Sequence, residues 1–195
     1  MLFGEDTERR ARVRMIVDRD HYDVLVRAAL GEAKTSVWIA TANLKSLMVE
    51  APIGTRARVR GKYVSILDTF EGLVQRGVEI RLLHASRPSG PMASELKRHS
   101  NLTKSPRFKL RACPRVHLKM IAIDGRLLYL GSANFTGAGL GAKGDGRRNF
   151  EMGVMTDDDV MLDVAQARFE RIWRGNECKS CKMRSLCPKP IDTLR

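Results

Sequence analysis

The sequence contains no apolar run approaching the roughly 20 residues that cross a bilayer. Its first 14 residues, MLFGEDTERRARVR, lack both the apolar segment and the small-residue cleavage site of a secretory leader. No membrane span is expected, and a cytoplasmic location follows by default. Internal repeats and low-complexity tracts are also missing, and 195 residues suit one compact domain. Acid is scarce: 35 Lys and Arg stand against 22 Asp and Glu, for a formal charge of +13. Residues 104–119 carry Lys104, Arg107, Lys109, Arg111, Arg115 and Lys119 without one acid, and residues 55–62 carry Arg56, Arg58, Arg60 and Lys62 without one. Clustered positive charge favours a polyanionic partner, so nucleic acid, DNA or RNA, is expected. A merely solvated basic surface is the competing reading. A membrane surface is disfavoured, because the chain has no basic amphipathic helix with aromatic anchors.

Hydrophobic spacing predicts a helix over residues 20–33, a strand over 35–44, a helix over 63–76 that ends at Gly77, and a strand over 78–83. Residues 49–61 read as an irregular loop. A short helix is expected over 92–99, then one long strand over 108–123, its partner over 127–131, a glycine-rich loop over 137–146, a strand over 149–155 and a helix over 157–173. Helices alternating with strands predict an α/β domain, a mixed β-sheet flanked by helices on both faces.

The densest chemistry lies in VHLKMIAIDGRLLYLGSANF, residues 116–135. Asp124-Gly125 between two apolar runs predicts a type I′ hairpin, because that turn needs positive φ at both positions. If residues 108–123 are one strand, Cys113, Arg115, His117, Lys119 and Ile121 share a face. Gly131, Ser132 and Asn134 then follow at the end of the partner strand, where small and amide-bearing residues can approach a phosphate. Asn149 and Glu151 share a face of the next predicted strand. The carboxylate there can orient an imidazole.

The series His117-Leu118-Lys119, four residues, Asp124, six residues, Gly131-Ser132-Ala133-Asn134 resembles the HxKx4Dx6GSxN signature of the phospholipase D superfamily. Asn149-Phe150-Glu151 is similar to the Asn/Glu strand that follows it in that family, and the likeness spans residues 10–175. The resemblance implies a phosphodiesterase, a hydrolase that needs no metal for catalysis. One histidine forms a covalent phosphohistidine while a second protonates the leaving oxygen and then activates water. His117 would be the nucleophile, Lys119, Ser132 and Asn134 would hold phosphoryl oxygens, and Glu151 would orient the ring. Asp124, placed in the turn, is read as structural, with Gly131 and Asn149 completing the motif. None of His21, His84 and His99 is followed two residues later by lysine, so the second catalytic half is missing. Single-motif relatives form symmetric homodimers, which implies a C2 dimer with a composite site. Those relatives include bacterial nucleases, and charge and size favour an endonuclease acting on DNA or RNA. A phospholipase D-type lipid phosphodiesterase and a non-catalytic nucleic-acid-binding module of the same fold are the alternatives.

Arg56, Arg58, Arg60, Arg115, Arg147 and Arg148 are the candidates for a nucleic-acid groove, although the alternation over residues 56–62 also fits an exposed edge strand. Beyond the catalytic domain, residues 1–175, the tail 176–195 carries Cys178, Cys181 and Cys187. In a cytosolic protein such clustering points to metal ligation over disulfides, with Cys113 the one remaining candidate for a fourth ligand. The C-x2-C-x5-C spacing resembles the C-terminal triplet that holds an iron–sulfur cluster in one group of nucleases. A structural zinc site fits the same residues equally well, and free thiols are the third reading.

Overall fold

The computed structural model describes residues 10–51, 54, 56–59 and 61–194. The strands are β1 (Val13–Val17), β2 (Ser36–Thr41), β3 (Met48–Glu50), β4 (Tyr63–Ser65), β5 (Glu79–His84), β6 (Phe108–Ala112), β7 (Met120–Ile123), β8 (Leu127–Gly131) and β9 (Met152–Thr156). Five α-helices accompany them: α1 (Arg56–Val59), α2 (Ile66–Gln75), α3 (Gly90–Arg98), α4 (Ser100–Lys104) and α5 (Asp159–Trp173). A wide π-helical segment covers His21–Ala29. Seven strands form one sheet in the order β1-β9-β8-β7-β2-β5-β6, and β3 pairs with β4 separately. β2, β5 and β6 run parallel, whereas β7, β8, β9 and β1 pair antiparallel, so the sheet is mixed as expected.

Strand alternation splits the interior into two layers. Val37 and Ile39 of β2, Ile121 and Ile123 of β7 and Tyr129 of β8 face the layer that holds α2 and the π-helical segment. Ala40, Met120, Ala122 and Leu128 face α5, meeting Leu162, Phe169 and Trp173. Trp38, Phe169 and Trp173 stack in series with ring centroids 5.2 and 5.5 Å apart, and Arg81 lies over Trp38 while pairing with Glu170 at 2.9 Å. Arg111 is drawn into the same stack, over Trp173 and bonded to its carbonyl. Arg107 donates to the Gly77 carbonyl at 2.9 Å. Part of the acid-free run is therefore committed to the fold.

The residues expected as one strand over 108–123 form two, and the strands lie apart. β6 is the edge beyond β5, while β7 sits between β8 and β2. Between them Cys113-Pro114-Arg115 makes a turn closed by the Val116 amide on the Cys113 carbonyl at 2.9 Å. Proline has no N–H for a ladder, which is the physical reason the strand stops there. The predicted helix over 63–76 begins later, because Tyr63–Ser65 pairs with β3 and the Ser65 hydroxyl caps α2 by accepting the Leu67 amide at 3.2 Å. Of residues 49–61, Val49 and Glu50 belong to β3 and Arg56–Val59 form the helical turn α1, so Arg56 and Arg58 lie on a helical turn and not on an edge strand. Arg60 lies outside the described residues. β1 was not foreseen, since Ile16 is its one buried residue.

Candidate active site

At the 124–125 turn both residues have positive φ, 57° and 61°, as a type I′ hairpin requires, and Arg126 closes it on the Ile123 carbonyl at 3.0 Å. The Asp124 carboxylate reaches across to the start of β2. It accepts the amides of Lys34 at 2.8 Å, Thr35 at 2.7 Å and Ser36 at 2.9 Å, and the Thr35 hydroxyl at 3.0 Å. Partial burial pushes this carboxyl up, but the donors outweigh it and hold its pKa below the ordinary value.

Register in this hairpin sets β7 against both β2 and β8, which fixes where residues 116–119 enter. They precede the strand itself, and Val116, Leu118, Met120 and Ala122 all turn towards the α5 layer. His117 and Lys119 therefore project the opposite way. Lys119 Nζ stands 3.2 Å from His117 Nδ1, 3.1 Å from Nε2 and 3.0 Å from the His117 carbonyl, so neither ring nitrogen is singled out as its acceptor. Cys113 does not share this face: the Pro114 turn resets the alternation, and Cys113 packs with the α5 layer instead.

The Lys119 carbonyl accepts the Gly131 amide at 3.2 Å, which brings the end of β8 beside the histidine loop. Gly131 is required by space, since a Cβ there would lie 2.3 Å from the Tyr129 hydroxyl and 2.8 Å from the Met152 carbonyl. The Ser132 hydroxyl donates to Glu151 and accepts the Met152 amide at 3.1 Å. Asn149 Nδ2 donates to the other Glu151 oxygen at 2.9 Å, although both residues precede β9 and are not part of it. Asn134 Oδ1 accepts the Asn43 amide at 3.0 Å and the Thr41 hydroxyl at 3.3 Å, which turns its Nδ2 away from them. Burial lowers the Lys119 pKa, and Glu151 acts against that shift. Two bonded groups, His117 with Lys119 and Glu151 with Ser132 and Asn149, and Asn134 on its own partners thus occupy the sheet end where β7 starts, β8 stops and β9 begins.

Two supports escaped sequence reasoning. Asp18, at φ 43°, exchanges backbone contacts with Glu151: its amide donates to the Glu151 carbonyl and its Oδ1 accepts the Glu151 amide, both at 2.9 Å. His21 lies fully buried behind it, with Nδ1 3.0 Å from the Asp18 carbonyl and its ring edge-on to Tyr129 at 5.4 Å. Burial lowers the His21 pKa. The signal available was weak: an Asp-x-x-His spacing at a strand end, with no partner visible nearby in sequence.

The candidate groove residues divide. Arg148 pairs with Asp145 and Arg58 with Glu50. Arg147 is exposed in the loop leading to Asn149, and Arg56 is exposed on α1. Arg115 faces the tail cysteines rather than the histidine, with a bond to Cys181. Among the described residues no three His, Cys, Asp or Glu side chains are grouped to hold a metal ion, so the metal reading of Cys113, Cys178, Cys181 and Cys187, zinc or iron–sulfur, gains no support from such a group. No described helix is long and apolar enough to cross a membrane.

The family described as "Cardiolipin synthase, PLD-like domain" matches residues 26–173. No curated protein sequence matches the chain. Among solved structures, NucT from Helicobacter pylori is similar at 18% identity and TM-score 0.57, covering 83% of this chain and 95% of that one. The phospholipase D family member Nuc from Salmonella typhimurium is similar at 19% identity and TM-score 0.56, over 85% and 95%. TrmBL2, an archaeal chromatin protein with a novel mode of DNA binding, shares 18% identity at TM-score 0.52, over 87% of this chain and 55% of that one. With its HxK, GSxN and Asn/Glu segments gathered at one sheet end and well over half its length matched, the chain belongs to the phospholipase D-like family.

Proposed function

We propose that this protein is a metal-independent endonuclease that cleaves DNA or RNA through a covalent phosphohistidine at His117, in an active site completed by a second copy of the chain. The observation that carries the reading is the gathering of two bonded groups at one sheet end, the His117–Lys119 pair and Ser132 and Asn149 on Glu151, which supplies an imidazole, an ammonium and hydroxyl and amide groups there. In the first step a ring nitrogen of His117 attacks phosphorus, and the P–O bond to the leaving oxygen breaks. Lys119, Ser132 and Asn134 stabilise the charge that gathers on the phosphoryl oxygens. The leaving oxygen takes its proton from the partner's His117, which then removes a proton from the water that hydrolyses the phosphohistidine. Glu151, tied to Asp18, Ser132 and Asn149, orients the ring and is a positioning residue.

A surface observation supports the dimer. Val13, Met15 and Val17 of β1 and Met152 of β9 lie on one sheet face, paired as Val17 with Met152 and Met15 with Val154. Met15 and Met152 are 53% and 58% exposed, and Phe150, next to Glu151, is 96% exposed. An apolar stripe beside a half-complete site fits a two-fold interface between identical copies. The net charge of +13 supports the polyanionic substrate. Incubating single-stranded DNA, duplex DNA and RNA with the protein in EDTA tests the reading: wild type cleaves at least one, and His117→Ala cleaves none. Cleavage that persists in His117→Ala, or no cleavage of any nucleic acid by wild type, overturns it.

A further inference from the structure

Cys113 and the three clustered tail cysteines, distant from it in sequence, surround one cavity that the proposed chemistry does not use. Cys113, Cys178, Cys181 and Cys187 line a space of about 80 Å³ together with Arg115 and Arg184. None is in a disulfide, and all are partly buried. The three tail sulfurs are close enough to Cys113 to act on it electrostatically. Their backbone is arranged as consecutive reverse turns: Cys181 N–H on the Cys178 carbonyl at 3.3 Å, Arg184 on Cys181 at 3.0 Å and Cys187 on Arg184 at 3.2 Å. Each turn redirects the chain around the cavity.

The tail gives little other reason to fold this way. Its regular structure is the two single turns Arg184–Leu186 and Ile191–Thr193, and the first of these buries nothing. Ile191 reaches the α5 layer, and Gly175 sits against the Asp192 backbone. A segment so poor in apolar contact commonly depends on a covalent or metal crosslink.

Two crosslinks come into question. One tetrahedral zinc with Zn–S bonds of about 2.3 Å would draw its sulfurs to about 3.8 Å from one another, and no such group is present among the described residues. A four-iron cluster holds its cysteines further apart, around a core of its own sulfides. Four cysteines lining one cavity leave room for such a core between them. Arg115 beside the cavity offsets negative charge there, while Glu177 in the same lining is neutralised by Arg168 and Arg171, and Arg184 by Asp192.

We propose that Cys113, Cys178, Cys181 and Cys187 ligate a [4Fe–4S] cluster that pins the tail to the turn preceding the histidine loop. Each thiol releases its proton to solvent as the iron–sulfur bond forms, and the structural role needs no electron transfer. Because the Val116 amide closes that turn on Cys113, the cluster fixes the point from which His117 and Lys119 extend.

The test uses the full chain, isolated without oxygen and reconstituted with equal amounts of ferrous and ferric iron and with sulfide, so that no further oxidant is needed, and assayed for iron, acid-labile sulfide, zinc and visible absorption. About four irons and four sulfides per chain, with brown thiolate-to-iron absorption, are expected. Cys187→Ala should lose both while its far-ultraviolet circular dichroism shows the sheet domain intact. Zinc in stoichiometric amount in place of iron, no bound metal after reconstitution, or undiminished iron in a folded Cys187→Ala each overturns the proposal. None of these readouts depends on nuclease activity.

Discussion

Replacing Asp124 by alanine separates the structural reading of this motif aspartate from a catalytic one. The carboxylate accepts three backbone amides and one hydroxyl from residues 34–36, at distances from 2.7 to 3.0 Å. Hydrogen bonds to a charged group contribute about 1.5–3 kcal/mol each, but four donors sharing one partly exposed carboxylate do not add, and water reaches those left behind. A net loss of about 2–3 kcal/mol is therefore expected, which for a domain of this size lowers Tm by roughly 4–12 °C. The pH dependence gives an independent sign. Because the folded pKa is depressed, the stabilisation is fully present above the ordinary carboxyl value of about 4 and is lost as pH falls through the folded pKa. The gap in Tm between wild type and Asp124→Ala should thus be full at pH 7 and should narrow below about pH 4. Thermal unfolding followed by circular dichroism across that range, with cleavage rate measured at a temperature where both proteins are folded, is the assay. An unchanged Tm with activity abolished would refute the structural assignment.

Further outcomes follow from the same geometry. Gly131→Ala should destabilise by about 1–3 kcal/mol and slow cleavage, because the new methyl must displace Tyr129 or the Met152 carbonyl; a variant as stable and active as wild type would contradict the packing described. Met15→Lys places a charge in the apolar stripe of β1 and should shift sedimentation from dimer to monomer with loss of cleavage, whereas a fully active monomer would remove the composite-site reading. His21 and His84 both have pKa values lowered by burial. Their neutral forms favour the folded state, whereas His99, against its burial, has its pKa raised by the Glu95 carbonyl and Asp68, so in a His99→Gln background stability should be complete above about pH 6.5 and decline as pH falls below it. A midpoint in denaturant that rises between pH 6.5 and 5 would contradict this.

The hairpin and its contents were legible because local rules governed them. Asp-Gly demanded the turn, the turn fixed β7 against β8, and the apolar alternation of residues 116–123 survived even where ladder bonds did not begin until Met120. The extent of the preceding strand was misjudged because an apolar and basic alternation ran through Pro114, whose missing donor outweighed the pattern. β1 is not legible in the sequence since its stabilisation comes from β9, more than 130 residues away, and four of its five residues stay exposed, with Ile16 alone buried. The Asp18 and His21 support of Glu151 is long-range for the same reason. Charge was legible in sum but not in use: Arg107 and Arg111 serve the fold, and Arg58 and Arg148 have acidic partners, leaving Arg56 and Arg147 exposed for a polyanion.

Trapping the intermediate examines the role of His117 itself. The protein is mixed with a cleavable oligonucleotide, quenched within the first turnover, digested under alkaline conditions that preserve phosphohistidine, and analysed by mass spectrometry. A nucleotidyl adduct on the peptide containing residues 116–119, localised to His117 and missing from His117→Ala, is the predicted result. Cleavage that proceeds with no adduct, or with an adduct on any other residue, would contradict it.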